Sequence, residues 1–140
     1  MESNKQIKRI KTTSIVLIAI GGLMIISNLP AMIFINLSES FNSEIPYVHP
    51  VYFVLNGFLL LSSGLLLKSI KKVGLNLTLL STLTTVVLIV AHSIIYTSSM
   101  TGELKTIGII GSVFFILIFL VPAILITRYL LKKDIKSLFN

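Results

Sequence analysis

Two histidines, His49 and His92, are the residues best suited to chemistry in this 140-residue chain, which contains no cysteine. Neutral imidazole is a ligand for haem iron and for Zn, Cu or Fe, and a pair on facing helices could hold such a centre. His49 opens one apolar stretch and His92 lies near the end of the next. If those stretches are antiparallel neighbours, both rings reach one depth together with Tyr47, Tyr52 and Tyr96, with Glu39, Glu44 and Glu103 nearby. Such a pair implies a haem- or metal-binding redox membrane subunit. The plainer reading makes His49 a solvated loop residue and His92 a hydrogen-bonded residue above a serine and threonine run. Neither histidine belongs to a ligand motif of defined spacing.

The next polar set is Ser81, Thr82, Thr84 and Thr85, with the amides Asn28 and Asn56. Hydroxyls in an apolar helix bond back to its own carbonyls at modest cost. They are therefore either packing groups or, with Asn56, the lining of a pore. Gly57 and Gly64 are seven residues apart and share a helix face beside Asn56 and Ser63. Gly21, Gly22, Gly108 and Gly111 are further places where backbones can approach closely. Asn56, Gly57, Gly64, Ser81 and Thr85 are thus the candidates for helix packing or a pore.

Acid–base chemistry has little to work with. Asp and Glu are absent from residues 45–102 and again from 104–133. Carboxylates buried in apolar spans mark proton- and cation-coupled transporters, and none is present to play that role. Without cysteine there is no thiolate metal site, no disulfide and no thiol catalysis. No nucleophile elbow, zinc-protease helix or phosphate-binding glycine loop occurs either. We expect a protein that is not an enzyme, with no cofactor beyond the weak histidine pair.

The elements that must position these residues follow from composition. Only 12% of residues are charged and 54% are hydrophobic, with a mean hydropathy of +0.97; a soluble domain carries about a quarter charged residues. The apolar residues fall into blocks of spanning length. They predict transmembrane helices at about 14–36, 51–67, 73–96 and 107–131. The first block continues through Pro30, further than the apolar region of a secretory signal, so it reads as a retained helix.

Basic residues cluster beside these blocks. Lys5, Lys8, Arg9 and Lys11 precede the first, while Lys68, Lys71 and Lys72 separate the second from the third. Arg128, Lys132, Lys133 and Lys136 end the fourth, and only Lys105 falls between the third and fourth. Lys and Arg are retained on the cytoplasmic side. Four spans put eleven of the twelve basic residues there; an odd number would split them. The expected architecture is all-α, an antiparallel four-transmembrane-helix bundle with N-in and C-in topology, forming one membrane domain.

The net charge of +7 then serves topology and contact with anionic lipid headgroups rather than nucleic acid. Lys8, Arg9, Lys11, Lys68, Lys71, Lys72, Arg128, Lys132, Lys133 and Lys136 are the candidates for that contact. Residues 128–140 place Leu131, Ile135, Leu138 and Phe139 on one helical face, predicting a cytoplasmic amphipathic tail lying on the inner membrane surface. The localisation expected is the cell membrane, a bacterial inner or plasma membrane. The leading expectation for function is an accessory, assembly or regulatory subunit acting by helix association with a membrane-protein partner or a second copy. The alternative from another class is a homo-oligomeric channel or carrier for a neutral or lipophilic solute.

Overall fold

The computed structural model describes residues 2–37 and 48–139, with side chains described for 4–35 and 48–139. Glu39, Glu44 and Tyr47 lie outside the described residues. The order of elements is α1 (Glu2–Leu37), α2 (Pro50–Lys68), α3 (Lys72–Ser98), α4 (Gly102–Leu130) and the short α5 (Lys133–Lys136). No strand occurs among the described residues. The first four helices are each long and apolar enough to cross a membrane.

α1 begins well before the predicted span and carries Lys5, Lys8, Arg9 and Lys11 on helix. The reason is Ile10, which is fully buried and gives the basic segment something to fold against. Further on, α1 stays helical through Pro30 although that residue cannot donate to the carbonyl of Ile26. α2 starts at Pro50, where the missing N–H is no loss, and the Nδ1 of His49 accepts the Val51 N–H at 3.2 Å. His49 is thus the N-cap of α2.

The turn between α2 and α3 is tight. Ile70 sits there at φ 56°, a conformation that a β-branched residue adopts only under strain. Its side chain packs against the core in compensation. The same turn seats Gly74 directly on the backbone of Leu66, where no Cβ would fit. Between α3 and α4 the reversal uses Gly102 at φ 62°, an ordinary conformation for glycine.

Helices α1 and α2 pack antiparallel through small residues. A Cβ on Gly21 would lie 2.6 Å from the Gly57 carbonyl oxygen, and one on Gly64 would lie 2.8 Å from that of Ser14. The backbones approach this closely because Gly21, Gly57 and Gly64 carry no Cβ at the contact. Helices α2 and α3 join through polar groups instead. Asn56 Nδ2 donates to Thr85 Oγ1 at 2.7 Å, Thr84 Oγ1 donates to Asn56 Oδ1 at 2.6 Å, and Ser81 Oγ lies 3.2 Å from Ser63 Oγ. Helix α2 is therefore gripped on two faces, whereas α4 packs along α3 and meets α1 and α2 sparsely. Although the most apolar of the four, α4 buries none of its residues before Leu130.

The core lies at one end. Ile10 and Leu17 of α1, Leu60 and Leu67 of α2, Leu75 of α3 and Leu130 of α4 form a cluster closed by Ile135 and Phe139. Here the structure differs from the expected tail. α4 stops at Leu130, a turn follows, and Ile135 and Phe139 fold back into the bundle rather than presenting an apolar face outward. Two contacts lock the fold-back: Gln6 Nε2 donates to Asp134 Oδ2 at 2.8 Å, and Tyr129 Oη donates to the Gln6 carbonyl at 3.3 Å. This end also gathers the basic clusters of the α1 start, the α2–α3 turn and the α4 end. The antiparallel order places Lys105 at the other.

Candidate functional site

Because α1 and α4 are tied together at the basic end and scarcely touch elsewhere, the other half of the bundle leaves a cavity of about 560 Å³ that is open along one side, where Leu23 and Phe115 are exposed. That size lies within the roughly 300–1,000 Å³ typical of small-molecule sites. Every long helix contributes. From α1 come Ile20, Leu23, Met24, Ser27 and Asn28, which recur at three- and four-residue spacing and so share a face. Pro50 and Phe53 come from the start of α2, with Val48 before it; Ile89 and His92 come from α3, Phe115 and Phe119 from α4. The last two rings stand 5.0 Å apart at 64°, within the edge-to-face range that aromatic pairs prefer.

The cavity continues toward the basic end. A second space of about 240 Å³ shares Ile20 and Phe119 with the first and adds Leu17, Leu60, Pro122 and Ile126, with Thr82 and Thr85 as its polar members. No Asp, Glu, Lys or Arg lines either space. The walls are hydrocarbon and aromatic, broken by a few neutral polar groups. Such a site favours an uncharged ligand, since an ion would lose its hydration without gaining a counter-charge.

His92 is the exception among these polar groups. Its Nδ1 is the buried side-chain polar atom left without a hydrogen-bond partner among the described residues. The ring is fixed by aromatic neighbours: Phe53 meets it edge-on at 5.6 Å and 89°, and Tyr96 stacks at 6.1 Å and 10°. A third space of about 230 Å³ shares His92 and Phe115 with the first and lies between α3 and α4, lined also by Ser93, Tyr96, Gly108, Gly111 and Ser112. The imidazole therefore borders both an apolar chamber and a smaller, more polar space.

The other candidates fall elsewhere. His49 caps α2, and the cavity is lined by its neighbours Val48 and Pro50. No group of three or more His, Asp or Glu side chains comes together among the described residues. Gly57 and Gly64 lie in the α1–α2 seam, while Asn56 and Ser81 spend their polar atoms between α2 and α3. Thr85 does both: it accepts from Asn56, donates to the Ser81 carbonyl at 2.7 Å, and lines the inner space. Lys8, Arg9, Lys11, Lys68, Lys71, Lys72, Arg128, Lys132, Lys133 and Lys136 are all exposed. The sequence did not single out Phe53, Phe115, Phe119 or Met24. The pair Phe115 and Phe119, four apart and hence on one face, was the one signal available.

Compared with protein-family models, curated proteins and solved structures, the chain matches none.

Proposed function

We propose that the chain is an integral membrane protein of four spans, with both termini on the cytoplasmic side of a bacterial inner or plasma membrane. We further propose that it binds one neutral lipophilic molecule within the bundle, without catalysing a reaction on it. The observation that carries this reading is the apolar cavity of about 560 Å³ lined by all four long helices. The sparse contact between α1 and α4 away from the basic end supports entry sideways, from the hydrocarbon of the bilayer. The polar groups that could line a pore are largely engaged between α2 and α3, which favours a site within a single chain over a channel between copies.

The basic asymmetry supports the orientation, and the absence of cysteine makes it simple to test. Single cysteines replacing the exposed Thr101 and Ser137 should react with an impermeant maleimide from opposite sides of a sealed membrane. The binding reading is tested by purifying the protein in mild detergent, extracting with organic solvent and identifying what comes off. One neutral lipophile, strongly enriched over its share of the membrane, is the expected result. Bulk lipid in membrane proportions counts against the reading.

A second reading, an accessory subunit acting by helix association, draws support from α4, which leaves its apolar length unburied within the chain. A partner helix would cover it. Co-purification in mild detergent distinguishes the two, since a lone monomer carrying a lipophile supports the first and a stable heteromer the second.

A further inference from the structure

Resting on the reading that the bundle binds a neutral lipophile, the geometry points to an amphiphile held head-first, with an uncharged hydroxyl or carbonyl head hydrogen-bonded to His92 and its hydrocarbon tail in the chamber beyond. Three observations converge. The chamber that His92 lines is about 560 Å³ and walled by Met24, Phe115 and Phe119, suitable for hydrocarbon. A second space that His92 also borders, about 230 Å³, adds Ser93, Tyr96 and Ser112, with the exposed Gly111 at its edge. The Nδ1 of His92, whose ring borders both spaces, is buried and unpartnered, a costly state that a ligand atom would relieve.

The chemistry of the head follows from what the site lacks. Neither space is lined by Lys, Arg, Asp or Glu, so a phosphate, carboxylate or amine would enter without a counter-ion. A hydroxyl suits either tautomer of the imidazole, donating to a bare Nδ1 or accepting from a protonated one. A carbonyl suits only the second. His92 lies six residues before the end of α3, roughly 9 Å along the axis at 1.5 Å per residue. The head therefore sits just beneath the end of the bundle away from the basic clusters, and the tail chamber runs from that end, at Val48 and Pro50, inward as far as Ile20.

The test uses the full chain in phosphatidylcholine nanodiscs and three photoreactive probes with a diazirine in the same long chain. One ends in a hydroxyl, one in a carboxylate and one in a methyl group. Labelling is mapped by peptide mass spectrometry and read as the ratio of cavity-facing Met24 to Phe114, which is exposed on the outer face of α4. The alcohol should give the highest ratio. His92→Phe keeps a ring against Phe53 and should cut that ratio roughly three- to tenfold, the worth of one net hydrogen bond. His92→Gln should restore part of it. Gly111→Leu adds bulk at the edge of the head space, at a position where nothing clashes, and should reduce the preference for the alcohol while tail labelling persists.

Equal cavity labelling by the alcohol and the methyl-ended probe would overturn the role of His92 and leave lipophile binding standing. A carboxylate probe that labels best would overturn the neutral head. If none of the probes labels Met24 above Phe114, the binding reading itself fails.

Discussion

The contact between α1 and α2 forms the fixed wall of the cavity, and the adjacent glycines Gly21 and Gly22 test it with a built-in control. A Cβ on Gly21 would meet the Gly57 carbonyl oxygen at 2.6 Å and the Leu61 nitrogen at 2.7 Å, both backbone atoms. A Cβ on Gly22 meets nothing within 4 Å. Both substitutions to alanine gain the same helix propensity, about 0.5–1 kcal/mol. Only Gly21→Ala must also separate two backbones, an overpacking cost of about 1–3 kcal/mol. Propensity cancels in the comparison, so Gly21→Ala should fall below Gly22→Ala by about 1–3 kcal/mol. The assay is thermal unfolding followed by circular dichroism in one nanodisc composition, with both variants measured beside the parent. Gly22→Ala should match or exceed the parent and Gly21→Ala should melt earlier. Equal melting of the two variants would refute the backbone contact, and with it the register that brings Gly57 and Gly64 onto α1.

The remaining predictions concern the other seams and the histidines. Asn56→Leu removes two hydrogen bonds to Thr84 and Thr85 and should cost about 1–2 kcal/mol, as interhelical polar contacts in model membrane helices do; denaturant titration in detergent reads the change. Phe139→Ala empties a buried position in the closing cluster and should cost up to about 3–5 kcal/mol, the range for buried aromatics. Faster trypsin cleavage near Lys8 and Arg9, beside buried Ile10, would report the loosened end. The purified protein should show no haem absorption band, because the Nδ1 of His49 accepts the Val51 N–H, which leaves the proton of the neutral ring on Nε2, the other atom that could bind iron; a Soret band would revive the two-histidine redox site.

The helices were legible because apolar length is encoded directly in residue type, as in the run from Val113 to Ile126, which holds no polar or charged side chain. Which face of each helix turns inward was not. A stretch such as residues 113–121 is apolar all round, so no polar stripe reveals its inner side, and Phe115 is indistinguishable from Phe114 by type. Faces could be read only where small or polar residues interrupt the pattern. Gly57, Gly64 and Asn56 are such places, and they do lie between helices. The fold-back of the C-terminal segment was hidden for a related reason. The spacing of Ile135 and Phe139 specifies an apolar face, but not whether that face meets a lipid surface or the chain's own core.

The role of His92 likewise could not be read from its neighbours in sequence. Pairing it with His49 rested on depth alone, whereas its structural partners Phe53 and Tyr96 and its unpartnered Nδ1 depend on how α2, α3 and α4 converge.

Native mass spectrometry of the full chain, released gently from nanodiscs, tests the central claim most directly. The account predicts one neutral lipophile bound per chain, lost when Ile20, which lines both the chamber and its inner extension, is replaced by tryptophan. A bare chain, or an adduct that survives Ile20→Trp unchanged, would contradict it.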